Sequence, residues 1–132
     1  MPAECAYDYA IIRVVPRVER GELINVGVIL SCPDADFLEA GINVDASRLL
    51  ALDPRLDLDA IRAHLSTIPL ICRGGPDAGP IGALPQRQRF HWLVSPRSTV
   101  IQMSSVHTGR TADPGRLLQR LIEQLVTPPA AC

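Results

Sequence analysis

The sequence predicts an α+β fold, in which a small antiparallel sheet of three to five strands carries helices mainly on one face. Two apolar runs near the start of the chain, Ala6–Val15 and Leu23–Ser31, flank a charged turn, which is typical of an antiparallel strand pair. Leucine and isoleucine then recur at helical spacing within residues 57–68 and 113–125. Strands that precede most of the helices are typical of an α+β fold.

The first apolar run is apolar at odd and even positions alike, so it predicts a central strand covered on both faces. Pro16 ends this strand because proline has no N–H to donate to a ladder. In the second run, Gly27 predicts a bulge or a close approach by another backbone or a ligand. Strict alternation there predicts one shared face for four apolar residues, Ile24, Val26, Val28 and Leu30. A weaker third strand is predicted at Phe37–Val44.

The middle of the chain predicts two helices and a loop. A short helix is expected at Ala46–Leu52. A longer helix begins at Asp57 or Asp59, either of which can cap it, and Pro69 kinks or ends it. The glycine- and proline-rich stretch Arg73–Pro80 predicts a mobile loop.

The last third predicts a helix at Leu84–Leu93 and a short strand at Thr99–Met103. The polar stretch Ser104–Ala112 is interpreted as a loop. Asp113-Pro114 then provides a capping carboxylate and a proline at the first helical position, which together predict the start of the final helix.

Length and composition predict a single globular domain. The chain has 132 residues, and we place the domain at residues 1–126 with a flexible tail at 127–132. The net charge of −1 provides no overall field for nucleic acid or for an anionic membrane. All 13 basic residues are arginine, so chemistry that needs a lysine Schiff base is excluded.

The four cysteines, Cys5, Cys32, Cys72 and Cys132, form no Cys-x-x-Cys pair and have no histidine at zinc-binding spacing. The N-terminus lacks the pattern of a secretory signal, and no apolar run reaches membrane-spanning length. We therefore expect a cytoplasmic protein with reduced thiols, without a metal or another cofactor.

A first polar cluster lies around the predicted turn and comprises Arg13, Arg20, Glu22 and Asn25. One hypothesis is a site for an anion or a nucleotide phosphate, since arginine binds phosphate bidentately and an amide can read a ligand edge. The other is a hairpin joined by salt bridges, with Asn25 bonded to its own backbone. The structural interpretation is slightly favoured because charged turns are common.

A second cluster lies at Ser104–Asp113. His107, Thr108, Thr111 and the first N–H groups of the final helix could bind an anion, and His107 could act as a general base oriented by Asp113. The alternative is an ordinary capped helix after an irregular loop, which is favoured. The enzyme hypothesis requires the two clusters to meet in one cleft.

A third cluster consists of basic residues interleaved with Phe90 and Trp92, namely Arg87, Arg89, His91 and Arg97. This pattern can stack and neutralise single-stranded nucleic acid. The low aromatic content of 4% and the absence of net positive charge favour an ordinary helix with a solvated basic face.

Several segments of the chain carry a family resemblance: Tyr9–Pro16, Arg20–Leu30, Arg89–Arg97, Val106–Gly109 and Asp113–Pro114. The block Arg-Gly-Glu-Leu-Ile-Asn-Val-Gly within the second segment is the most specific. Together they resemble the bacterial domain-of-unknown-function family 3037. The resemblance implies a small accessory protein, in some cases encoded beside a toxin-type kinase-like protein, and hence a protein partner. It assigns no catalytic residue.

These observations favour a non-catalytic accessory or protein-interaction domain that binds a protein partner or its own copies. Such a domain should have an exposed apolar patch or a dimer interface along a sheet edge or the last helix. The first alternative is a binding protein or enzyme for a small anionic ligand that uses the first two clusters. The second alternative is a nucleic-acid-binding module.

Overall fold

The computed structural model describes residues 3–129 and confirms the α+β class. Its five antiparallel strands are β1 (Cys5–Val14), β2 (Ile24–Cys32), β3 (Phe37–Ile42), β4 (Ile101–Met103) and β5 (His107–Thr111). The order runs β3-β2-β1, and both β4 and β5 pair with the remaining side of β1. β1, predicted as a central strand, therefore has β2 on one side and β4 and β5 on the other.

The four α-helices of residues 3–129 are α1 (Ala46–Leu52), α2 (Leu58–Arg73), α3 (Gln86–Val94) and α4 (Pro114–Leu125). An aspartate caps each of α1, α2 and α4, because its carboxylate accepts a hydrogen bond from the backbone N–H three residues later in the chain. Short 3-10 helices occur at Val18–Arg20, Pro33–Ala35 and Pro76–Ala83. None of the helices in this part of the chain is long and apolar enough to cross a bilayer.

Two hydrophobic clusters cover the two faces of the sheet. The larger cluster packs α1, α2 and α3 against residues such as Ile12 and Ile29. The smaller one packs α4 against Val28 and Leu30. Three of the four described α-helices thus share a face, as predicted, and α4 covers the opposite face over β2 and β3.

A bulge in β2 overturns the predicted alternation. Ile12 faces Gly27 and Arg13 faces Asn25, so Val26 has no partner residue in β1. Val26 consequently joins the larger cluster, whereas Val28 belongs to the α4 cluster. The extra residue places the side chains that precede it in β2 on the opposite face from the one that strict alternation predicts.

Gly27 has a structural explanation. A Cβ atom there would lie 2.6 Å from the carbonyl oxygen of Gly41 and 2.9 Å from Cδ1 of Ile12. The close approach is therefore made by another backbone, and the bulge lies directly beside Gly27, so two of the outcomes predicted for this glycine are confirmed.

Two local predictions in the middle of the chain need correction. Of the two outcomes predicted for Pro69, an end of the helix is wrong, because α2 continues to Arg73 and packs Ile68, Ile71 and Cys72 into the core, whereas a kink stays a prediction. The predicted loop Arg73–Pro80 is only partly irregular, since a 3-10 segment begins at Pro76.

The predicted loop Ser104–Ala112 is wrong over half its length, because it contains β5. Strand formation here depends on β1, a partner distant in sequence, and on no strong local pattern. Between β4 and β5, the buried Ser104 hydroxyl accepts the Ile11 N–H at 2.8 Å, while the Ser104 N–H donates to the Ile11 carbonyl at 2.9 Å. The side chain thus replaces a backbone acceptor where the strand is interrupted.

The expectation of reduced thiols is wrong for two cysteines. Cys5 and Cys32 form a disulfide with a Cα–Cα distance of 6.7 Å, which joins the start of β1 to the end of β2. Such bonds persist in oxidising compartments, so the cytoplasmic location remains a prediction. Cys72 is a buried free thiol. Cys132 and residues 130–132 of the predicted tail lie outside the described residues.

Candidate functional site

Arg20 and Glu22 of the first predicted cluster bind each other. Both side chains are exposed in the turn between β1 and β2 and form an ion pair. The hydrogen bond from Arg20 holds the pKa of Glu22 below its ordinary value, and the same bond raises the pKa of Arg20. Each charge is therefore compensated within the turn.

The groove beside this turn is broad and electrically balanced. It has a volume of about 790 Å³ and extends from the turn to the end of α1. Arg17 lies on the wall of the groove, and its Nε is 3.6 Å from Oδ2 of Asp53. Three arginines and three acidic residues line the groove, namely Arg17, Arg20, Arg55, Glu19, Glu22 and Asp53. This balance provides no concentrated positive field for an anion.

Arg13 and Asn25 form a separate pair on the face of the sheet that α4 covers. The Arg13 Nε donates to Asn25 Oδ1 at 3.4 Å, and Asn25 Nδ2 donates to the Leu125 carbonyl at 3.0 Å. Asn25 therefore bonds the last turn of α4, and not its own backbone as the structural interpretation supposed. This pair attaches the C-terminal end of α4 to the sheet.

His107 and Thr111 both lie in β5. His107 stacks on Tyr9 with ring centroids 5.0 Å apart. Thr111 accepts the Asp113 N–H through its hydroxyl, and Asp113 accepts the Arg116 N–H as the cap of α4. Asp113 therefore serves the start of α4 and does not orient His107.

The two clusters do not share one cleft. His107 faces Tyr9 across the β1–β5 ladder, four residues from Arg13 and about 13 Å along the strand. Thr111 faces Cys5, and Arg13 lies eight residues further along β1. Eight residues of strand span about 26 Å. The arrangement that the enzyme hypothesis required is not formed, although Arg13, Asn25 and His107 do share a face of the sheet.

The third cluster is largely taken up by contacts within the chain. Arg87 forms an ion pair with Asp8 and donates to the Ser31 hydroxyl. Arg89 donates to the carbonyls of Ile71 and Cys72, at the end of α2. Arg97 donates to two carbonyls in the last turn of α3 and lies over the Trp92 ring. Because these guanidinium groups stabilise helix ends and the sheet, they do not form a free basic stripe for nucleic acid.

The outer edge of β5 offers unpaired backbone groups. Both backbone groups of Ile11 point to the β4–β5 side, as its bonds with Ser104 show. The direction of the backbone N–H and C=O groups alternates along a strand, so those of Tyr9 and Tyr7 also point to β5. Tyr9 and Tyr7 therefore form the hydrogen-bonded pairs with His107 and Gly109. The N–H and C=O groups of the intervening residues, Thr108 and Arg110, therefore point outward.

A groove runs beside this edge on the α3 side of the sheet. It has a volume of about 450 Å³, and its apolar wall comprises Phe90, Val94, Pro96 and Val106. Val106, immediately before β5, is 42% exposed, and Trp92 on the neighbouring surface of α3 is 40% exposed. We call this feature the α3 groove, and the outward groups of Thr108 and Arg110 the β5 edge.

Arg110 places a positive charge at the β5 edge. The carboxylate that lines the α3 groove belongs to Asp8, and it is neutralised by Arg87. Arg110 is exposed, donates to the Glu4 carbonyl at 3.1 Å, and forms no ion pair within the described part of the chain. Within residues 3–129, histidine, cysteine and acidic side chains form no group of three that could hold a metal ion.

Residue type alone does not reveal the β5 edge or the contacts of Arg110. The signal available was weak: in Val-His-Thr-Gly-Arg-Thr, β-branched residues occupy three of six positions, but polarity and glycine suggested a loop. His91 lines the α3 groove and was noted for its charge alone.

Fold and surface together describe, for residues 3–129, an α+β domain in which the exposed edge of β5 lies beside a groove with an apolar wall. A family model described as "Protein of unknown function (DUF3037)" matches residues 9–126. The chain belongs to this family, which confirms the resemblance found in the sequence. No curated protein and no solved structure matches the chain.

Proposed function

We propose that this protein is a non-catalytic interaction domain that binds an extended segment of a partner protein as an additional strand at the β5 edge. In this mode of recognition, backbone hydrogen bonds supply affinity and pockets for alternate side chains supply specificity. A toxin-type kinase-like protein, implied by the family resemblance, is the partner class to examine first.

The observation that supports this proposal is the outward direction of the Thr108 and Arg110 backbone groups in an exposed strand. An added strand requires an N–H and a C=O at alternate residues and free space on both faces. Val106, His107, Thr108 and Arg110 are all exposed, so neither face of the edge is covered. The adjacent α3 groove provides a place for a side chain of the incoming segment.

Peptide selection would test the proposal directly. A library of random ten-residue peptides is selected against the wild-type protein, and the enriched peptides are measured by fluorescence anisotropy. We expect micromolar binding, weakened at least tenfold by Thr108→Pro, which removes an outward N–H while leaving the bonds to β1 intact. Thr108→Val is the matched control, because it keeps the N–H and the β-branched shape.

Amide hydrogen exchange keeps the test decisive if the proline variant unfolds. In the free wild-type protein the Thr108 and Arg110 amides should exchange quickly and become protected on peptide binding, whereas the already paired Gly109 amide should change little. Failure to enrich any peptide, or protection elsewhere with none at Thr108 and Arg110, would overturn the proposal.

A further inference from the structure

We infer the chemistry of the segment that the β5 edge selects: an acidic residue opposite Arg110 and, four residues later, a branched apolar residue opposite Val106. This inference rests on the proposed function and deepens it. It assigns the partner the pattern acidic-x-x-x-apolar in an antiparallel orientation.

The acidic position follows from the charge around Arg110. This guanidinium is exposed, and its one described hydrogen bond goes to a backbone carbonyl, which does not neutralise it. Asp8, the acidic residue that lines the α3 groove, is already paired with Arg87. A carboxylate directly opposite Arg110 would form a cross-strand ion pair without displacing a partner, whereas a lysine there would meet an uncompensated like charge.

The apolar position follows from the register of faces. Thr108 faces Asp8, and Arg110 faces Ala6, so both side chains lie on the α3 side of the sheet. Val106 lies on this side as well, in the wall of the α3 groove beside Phe90. A residue opposite Val106 would therefore enter the groove, whose volume of about 450 Å³ accommodates a leucine or isoleucine side chain.

The orientation follows from the sheet itself. Each of the described strand pairs is antiparallel, and antiparallel pairing is slightly the more stable kind. In an antiparallel strand, the residue opposite Arg110 precedes the residue opposite Val106 by four positions. The intermediate residue opposite Thr108 needs only a side chain compatible with a strand.

Three synthetic peptides of ten residues provide the test. The first has glutamate followed four residues later by leucine in a threonine- and valine-rich strand, the second has these two residues exchanged, and the third has lysine in place of glutamate. Anisotropy at low salt should show the first binding at least tenfold more tightly than the third. Arg110→Glu should reverse that preference, and Arg110→Gln should abolish it.

A variant of the groove tests the second position. Val106→Asp should weaken binding of the first peptide at least fivefold. Replacement of the leucine in that peptide by alanine should weaken its binding to the wild-type protein by a similar factor and should not change its binding to the Val106→Asp variant. Equal binding of all three peptides, still sensitive to Thr108→Pro, would overturn the sequence pattern and leave strand addition standing. If none of the three peptides binds but library peptides do, the pattern is also overturned. If neither set binds, the proposed function itself is overturned.

Discussion

At one side of the sheet β3 pairs only with β2, and at the other side β5 pairs only with β1. The two edges offer the same backbone groups, yet their surroundings differ. Helices α2 and α4 both contact β3, and a Cβ on Gly41 would lie 2.0 Å from Cδ1 of Ile122. Beside β5, exposed side chains and the α3 groove lie where β3 has helices.

The difference shows how a sheet can prevent pairing at one edge and permit it at the other. At β3, helices on both faces leave little room for an added strand, a common protection of edges. At β5, protection is limited to the shortness of the strand and the charge of Arg110. An edge that is charged and exposed is a poor site for nonspecific aggregation and a suitable one for a partner of complementary charge.

The largest effect on stability is expected from the disulfide that joins β1, the neighbour of β5, to β2, the neighbour of β3. Cys5 faces Thr111 in β5, and Cys32 faces Phe37 in β3. Cys5→Ser removes a bond that closes a loop over a sequence separation of 27. The free energy of unfolding should fall by about 3–4 kcal/mol, as measured by urea denaturation.

Wild-type protein in a reducing agent is the control for this variant and should lose the same stability. Hydrogen exchange should show greater loss of protection in β5 than in β3, because α2 and α4 also hold β3. A uniform loss at both edges would contradict the contrast between them.

A smaller effect is expected at the interruption between β4 and β5. Ser104→Ala deprives the Ile11 N–H of its acceptor in a buried site, which should cost about 1–3 kcal/mol of unfolding free energy. Urea denaturation measures this loss, and the Ile11 amide should exchange faster. Ser105→Ala, at the exposed neighbouring position, is the matched control and should change stability little; an equal loss there would count against the assigned role of Ser104.

The smallest effect concerns the thiol next to β3. Burial raises the pKa of the Cys72 thiol from 9.0 to about 12, so the folded protein retains the proton that the unfolded chain loses. The resulting stabilisation is complete below pH 9 and is lost as pH rises towards 12. At pH 8, iodoacetamide should leave the peptide containing Cys72 unmodified, as judged by mass spectrometry.

The same reaction in denaturant is the control and should label Cys72 fully. Because Cys72 lies in a pocket with Leu38 and Ala40 of β3, it also reports on that edge. Rapid labelling of the folded protein would show that the β3 edge opens, and the two edges would then be alike.

The sequence predicted those parts of the fold that have local causes. Pro16 and the capping residues Asp57 and Asp113 define a strand end and two helix starts through their own backbone chemistry. Gly27 predicts a bulge as one alternative, but the face that each residue takes, like the strand β5, depends on partners distant in sequence. The Cys5–Cys32 pairing has the same character, since cysteine spacing alone does not determine connectivity.

The candidate site was less predictable than the fold. Residue type predicts a polar cluster of Arg13, Arg20, Glu22 and Asn25. In the structure, Arg13 and Asn25 attach α4 to the sheet, and Arg20 and Glu22 form an ion pair within the turn. The β5 edge depends on which strand lacks a neighbour, a property of the assembled sheet. Residue type at Thr108 gives no sign of it.

The disulfide turns the β1–β2 hairpin into a closed covalent ring. Arg17 and Arg20, exposed in the turn, are the residues at which a trypsin-like protease would cut. A cut there opens the ring without releasing either strand, because Cys5 and Cys32 still join the two pieces. The central strand would stay joined to β2 after this charged, exposed turn had been severed.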